Sequence, residues 1–277
     1  MDRRSHSHAK GAKAAKEDRW DQITLVPLRP LRTWREAKTE LFGVDFRVFR
    51  VFCGFHMSWA DTPIHFIDFE GNAASGILEL GVVTLRGGEI AEAHTRLCRA
   101  TGRVSAADTA VHGLAAEGLV TEAYFAAEWE RFAGLRASGP LAAHFAPVEN
   151  SLLRKVWPYP NQVPDFARPG KTATEWGPWI DTGQLYPQFF PQFGSFRLGD
   201  LVARGGLQAE LDAVAFRHCP PERRRYHAAL YDALAGALLL LALLRRPELA
   251  QATIPWLLQL STLDGDKRDA LQQGNLF

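Results

Sequence analysis

Residues 66–72 read FIDFEGN, with Phe66, Ile67 and Phe69 set around two acids, Asp68 and Glu70. The stretch has the apolar and aromatic weight of a buried strand. Side chains along a strand alternate between faces, so Asp68 and Glu70, at i and i+2, project from one face. Carboxylates aimed out of an apolar strand are costly to bury unless cations meet them. The β pattern continues downstream. Residues 77–85, ILELGVVTL, form a second β-rich run, and Gly87-Gly88 followed by EIAEAHTRL marks a hairpin into a third strand.

Beyond this meander the pattern changes period. Ser105, with Asp108 three residues later, opens a short helix in the manner of a capping box. Over Thr121–Leu135 the residues Tyr124, Phe125, Trp129, Phe132 and Leu135 recur at helical spacing. Pro140–Ala146 reads as a short buried strand and Val148–Val156 as a helix. Residues 157–178, rich in Pro, Gly and Trp, read as a long loop of the kind that carries function. Trp179–Thr182 ends another strand, and helices follow over Leu198–Ala203 and Glu222–Leu244. A meander followed by alternating strands and helices predicts an α/β fold with a mixed sheet.

The chain has 277 residues, 47% of them apolar, enough for a substantial core. Its formal net charge of +1 gives no global field to draw an acidic partner. Charge is local instead. Residues 1–19 are basic and nearly free of large apolar groups, which predicts a disordered tail. Residues 20–61 carry apolar groups without a clear period and read as an N-terminal extension. The longest apolar run, Ala233–Leu244, falls short of the roughly 20 residues a bilayer span needs. It reads as a helix buried in a core, and no apolar leader stands near the start. Cys53, Cys98 and Cys219 are odd in number and scattered, which favours a reducing cytoplasm over disulfides or a zinc site.

Two further acids stand out. Glu149 sits in AHFAPVEN, at a helix start, and Asp232 lies early in the apolar helix with His227 five residues before it. Each has an ordinary explanation alone. Glu149 suits a helix N-terminus, Asp232 an ion pair with one of Arg223–Arg225, and His227 a structural histidine. Together, four acids from separate elements repel unless cations hold them, as in a two-metal phosphoryl-transfer site.

At this point the chain resembles the DEDDh (DnaQ-like) 3′→5′ exonuclease family of the ribonuclease H-like superfamily. FIDFE resembles its first motif and ELGVVTL the strand that follows. VHGL at 111–114, AHFAPVENSLL, WIDTGQL with FRLGDLVARGGL, and YHAALYDAL with its His-x4-Asp spacing come in the family's order. The resemblance spans about Ile64 to Leu244 and implies a ribonuclease H-like mixed five-stranded sheet flanked by helices. It implies that Asp68, Glu70, Glu149 and Asp232 hold two divalent cations, Mg2+ or Mn2+. It makes His227 the general base, a role suited to an imidazole near neutral pH. The substrate end is implied to meet Gly71, Asn72, His112, Gly113, Leu114 and Phe145. The expected domain runs over residues 62–250.

The chain departs from the family pattern at four places. Glu149 and Phe145 stand where Asp and Asn are usual, Gly71 where Thr or Ser is usual, and Ala115 where Thr is usual. Trp157, Trp176 and Trp179 suit either base stacking or packing, and Arg223–Arg225 either phosphate contact or a solvated helix start. At the end of the chain, in a tail over 251–277, Gln273, Leu276 and Phe277 resemble a bacterial sliding-clamp-binding motif, two apolar anchors with a Gln fixing register. The expected activity is release of nucleoside 5′-monophosphates from single-stranded or frayed DNA 3′ ends. An RNA exonuclease of the ribonuclease T or oligoribonuclease kind, and an inactive DNA- or clamp-binding module, are the alternatives.

Overall fold

The computed structural model describes residues 57–262. The basic tail, most of the 20–61 extension, Cys53 and the clamp-like residues Gln273, Leu276 and Phe277 lie outside the described residues.

Five strands form a mixed sheet in the order β3-β2-β1-β4-β7. Strands β1 (Ile64–Asn72), β2 (Gly76–Arg86) and β3 (Glu89–Leu97) make the antiparallel meander. The short β4 (Leu141–Ala143) adds parallel to β1, and β7 (Ile180–Asp181) parallel to β4. β5 (Val163–Pro164) and β6 (Thr172–Ala173) pair separately inside the long loop.

The alternation of β1 divides its side chains between two cores. Ile64 and Phe66 pack with Val83, Leu85 and a long helix, α7 (Ala229–Leu244). Ile67 and Phe69 face the opposite way, into a cluster with Phe125, Phe132, Leu152, Leu153, Trp176 and Trp179. This second cluster lies under helices α2 (Trp129–Ser138) and α3 (Ala146–Val156). Every residue of α7 except Ala242 is buried, so its apolar run serves the core. No helix among the described residues is long and apolar enough to cross a membrane.

Helix α1 (Ala106–His112) begins at Ser105, whose Oγ accepts from the Asp108 amide, as the cap pattern predicts. Other elements differ from the expectation. The 121–135 stretch opens as a 3₁₀ turn, Phe125–Glu128, before α2. The helix expected from Glu222 starts at Ala229. Pro220 and Pro221 shape a 3₁₀ turn over Pro221–Arg223, and His227 leaves the helical region with φ 61. Helices α4 (Thr182–Phe189, with Pro187 inside), α6 (Gln208–His218) and α8 (Ile254–Leu260) lie where none was expected, beside α5 (Leu198–Arg204). Ile254, Leu257 and Leu258 of α8 are buried with α7, so the packed unit continues past residue 250.

Loop 157–178 turns its tryptophans inward. Trp176 and Trp179 are buried, and Trp157 packs beside Trp176 and Phe125. The buried Arg136 guanidinium donates to the carbonyls of Asn161, Ala173 and Glu175, pinning the loop to α2. Packing, rather than base stacking, accounts for this loop.

Close backbone approach sets α7 on the sheet. A Cβ on Gly81 of β2 would fall within 3.0 Å of the Ala229 carbonyl, and one on Gly236 within 3.0 Å of the Phe66 ring. Gly134, in α2, has open space where its Cβ would be. We therefore expect Gly81→Ala to destabilise the protein by about 1–3 kcal/mol through overpacking. Gly134→Ala should stabilise it by about 0.5–1 kcal/mol through helix propensity. Denaturant midpoints at constant slope check both.

Candidate active site

The register of the meander sets the first layer. Asp68 lies opposite Gly81 and Glu70 opposite Glu79, all four on the face that α7 covers. Because Gly81 has no side chain, the first turn of α7 lies directly over Asp68's neighbour. Asp232, in that turn, therefore reaches the carboxylates of β1. Ligand atoms of Glu70, His227 and Asp232 lie within 4.8 Å of one another. Glu149 enters from the first turn of α3. The four expected carboxylates thus converge from β1, α3 and α7, and His227 stands at their edge, exposed.

The His-x4-Asp spacing has a local cause. Helix α7 has Ala228 at its N-cap, which offers no capping side chain. Asp232 reaches back, and its Oδ2 accepts from the His227 backbone N–H at 3.0 Å. That leaves Oδ1 buried with no hydrogen-bond partner, and Glu149 Oε2 is in the same condition. Orphaned buried carboxylate oxygens are expensive, and a cation resolves them.

The charge balance agrees. Burial raises Asp68 well above the usual carboxylate range, with Glu149, Asp232, Glu70 and Glu79 adding to the rise. Burial also pushes Glu70 up to about 8, with Asp232 and Glu79 reinforcing it and Arg223 and Arg225 opposing. Asp232 rises to about 7 through burial, against the hydrogen bond from the His227 amide. Burial raises Glu149, with Glu70 adding and the Phe69 amide opposing. Burial and mutual repulsion favour the protonated forms of these acids, and bound cations would favour the ionised forms. Oxygen-rich, hard donors of this kind fit Mg2+ or Mn2+.

The turn leading into α3 is fixed by Asp181 at the end of β7. Its carboxylate accepts from the amides of Phe145 (2.9 Å), Ala146 (3.0 Å) and Gly183 (2.8 Å). Phe145 consequently sits at φ 66 and ψ 54, the left-handed region where Asn is the easier residue. The residue is 41% exposed, and its ring rests on Gly183.

Other expected substrate residues are placed differently. Gly71 follows a register shift in β1 at φ 120, and a Cβ there would fall within 3.0 Å of the Gly76 carbonyl. The hairpin, not the substrate end, explains why a hydroxyl residue is missing. The Asn72 side chain is committed to the turn. Its Oδ1 accepts from the amides of Ala74 and Ser75, and its Nδ2 donates to Asp108. Leu114 is buried with Leu78 and Leu119, as a core residue. His112 is buried, its Nδ1 accepts from the Leu114 amide, and Gly113 caps α1 at φ 78.

Sequence reading missed Glu79 and its partner. Glu79 is buried, and both its oxygens accept from Arg223, through Nε at 3.0 Å and through Nη2. Its Oε2 also accepts from the Ala229 amide at 3.0 Å, capping α7 from across the sheet. A charged residue inside the apolar run ILELGVV was the available signal. Arg223 is therefore not free for phosphate. Arg224 donates to the carbonyls of Phe216 and Cys219, and of the three only Arg225 is exposed.

Comparison with solved structures places this architecture. Exonuclease X, solved with a 5′-overhanging duplex DNA, superposes with a TM-score of 0.52 at 20% identity, covering 72% of this chain and 99% of that one. A 3′-exonuclease described for 3′-end-specific recognition of a histone mRNA stem-loop gives 0.50 at 15% identity, covering 71% and 68%. An apo exonuclease I gives 0.51 at 13% identity, covering 76% of this chain and 47% of that one. The protein therefore has the ribonuclease H-like fold, the mixed five-stranded sheet flanked by helices that these exonucleases share. No family model matches the sequence, and no curated protein matches it.

The raised carboxylates give a signed prediction. A group whose pKa rises on folding stabilises the fold below its unfolded pKa and loses that contribution as pH climbs through its folded pKa. In chelator, Tm should fall between the ordinary carboxylate range, about 4, and about 7 to 8. Added Mn2+ should raise Tm more at the upper end of this window than at the lower. Scanning fluorimetry across pH reads both, and a metal shift independent of pH would contradict the electrostatic account.

Proposed function

We propose that this protein is a metal-dependent 3′→5′ exonuclease that releases nucleoside 5′-monophosphates from single-stranded or frayed DNA ends. The observation carrying the reading is the convergence of Asp68, Glu70, Glu149 and Asp232 from three elements, with buried oxygens of Glu149 and Asp232 left unpartnered. The likeness of fold to exonucleases supports it. The resemblance of its ordered motifs to the DEDDh family gives the finer assignment.

In this reading Asp68, Glu70, Glu149 and Asp232 hold two divalent cations. When bound, such cations supply Lewis acidity at a scissile phosphate and acidify water. His227, exposed beside Glu70 and Asp232, takes the proton from the attacking water. The longer Glu149 reaches the cluster from α3, whose first turn is fixed by Asp181. The exposed Phe145 ring lies beside that turn, where a terminal base can stack. Arg225, exposed and donating to the His112 carbonyl at 3.3 Å, supplies a cation for a substrate phosphate.

The test gives the purified chain end-labelled single-stranded DNA and RNA with Mg2+, Mn2+ or chelator. Stepwise release of 5′-monophosphates from the 3′ end, with metal only, is expected. RNA is included because the histone mRNA exonuclease shares the fold. Asp232→Asn keeps an acceptor for the His227 amide while removing the charge. It should hold or raise Tm in chelator, since the costly buried charge is gone, and lose activity by about 10²-fold or more, the scale of removing one electrostatic stabiliser. No release with any metal, or full activity in Asp68→Asn, would sink the enzyme reading.

A further inference from the structure

The turn that presents His227 is held in an unfavourable conformation by contacts at both of its flanking peptide groups. His227 lies at φ 61, a region a β-carbon disfavours, so the residue stays there only if its surroundings fix it. Its N–H donates to Asp232 Oδ2. Its carbonyl accepts from Arg223 Nη2 at 3.1 Å. The same guanidinium donates through Nη1 to the His112 carbonyl at 2.6 Å, at the end of α1. Its Nε and Nη2 also grip Glu79, which in turn accepts from the Ala229 amide.

On the reading of His227 as the general base, we infer that Arg223 is a positioning residue for the reaction. One buried fork ties together β2, the end of α1, the His227 turn and the first amide of α7. The planar guanidinium supplies the donors needed in fixed directions, which a lysine ammonium on the same stem cannot. Glu79 holds the fork in place from a strand that is rigid in the sheet. Loss of the fork would free the His227 carbonyl and let the turn relax, moving the imidazole away from Glu70 and Asp232. The carboxylates themselves would stay in place.

The variant Arg223→Lys keeps the charge and removes the fork. The double variant Glu79→Gln/Arg223→Gln leaves no unpaired buried charge and serves if the lysine form does not fold. Three readouts are taken on the full chain: hydrogen exchange of the 112–114 and 227–229 amides, Mn2+ binding by titration, and kcat and KM on single-stranded DNA. The expected result is faster exchange at both segments together, Mn2+ affinity near wild type, and kcat down about 100-fold, the scale of a 1 Å misplacement. KM should stay within about 2-fold of wild type. Unchanged exchange at the two segments, or unchanged kcat in a folded variant of an active enzyme, overturns the assignment. If wild type hydrolyses no nucleic acid with either metal, the exonuclease reading falls, and exchange at the two segments alone decides whether Arg223 clamps the turn.

Discussion

The candidate site depends on how closely the first turn of α7 lies against β2. At Gly81 the strand has no side chain, and the Ala229 carbonyl occupies the space where a Cβ would be. Since Gly81 pairs with Asp68, this approach delivers Asp232 and His227 to the acids of β1. Gly236, further along α7, lets the Phe66 ring nest against the helix. The helix is thus seated at two glycine contacts, one near the site and one in the core.

That seating concentrates negative charge. Glu70 and Glu79 stand directly opposite on neighbouring strands, an arrangement that destabilises a sheet unless each charge is met. The chain meets one of them itself. Arg223 takes both oxygens of Glu79, and Glu79 also caps the helix that Ala228 leaves uncapped. Among the described residues Glu70, Asp68, Glu149 and Asp232 receive no comparable cation, and burial raises all four. Two acids that look alike in sequence, Glu70 and Glu79, therefore differ in kind: Glu79 is held by Arg223 and the Ala229 amide, whereas burial and neighbouring acids push Glu70 up to about 8.

Asp181 does for the α3 side what Arg223 does for the α7 side. It collects three amides and imposes the left-handed turn at Phe145 from which α3 starts. Glu149 then projects from the first turn of α3 toward Phe69 and Glu70. A long loop usually suggests a mobile lid, yet 157–178 is tied down by Arg136 and by Trp176 and Trp179 in the core. The exposed parts of the candidate site are His227, Phe145 and Arg225.

The sequence by itself determined the meander and the pairing of Asp68 with Glu70 on one face, because strand periodicity is local and written in every second residue. It determined the buried nature of α7, whose composition leaves no other environment for it. The order of the acidic motifs was legible for the same reason, since each is carried by a few adjacent residues. What it did not determine was the start of α7, because His227 turns left-handed only with its N–H donating to Asp232 and its carbonyl accepting from Arg223. Nor did it determine that Asn72 and Leu114 would be spent on the turn and the core, or that Glu79 would find Arg223 across 144 residues of chain. Those outcomes are contacts between segments distant in sequence. Their energies depend on burial and direction, and only the packed sheet and its helices fix those.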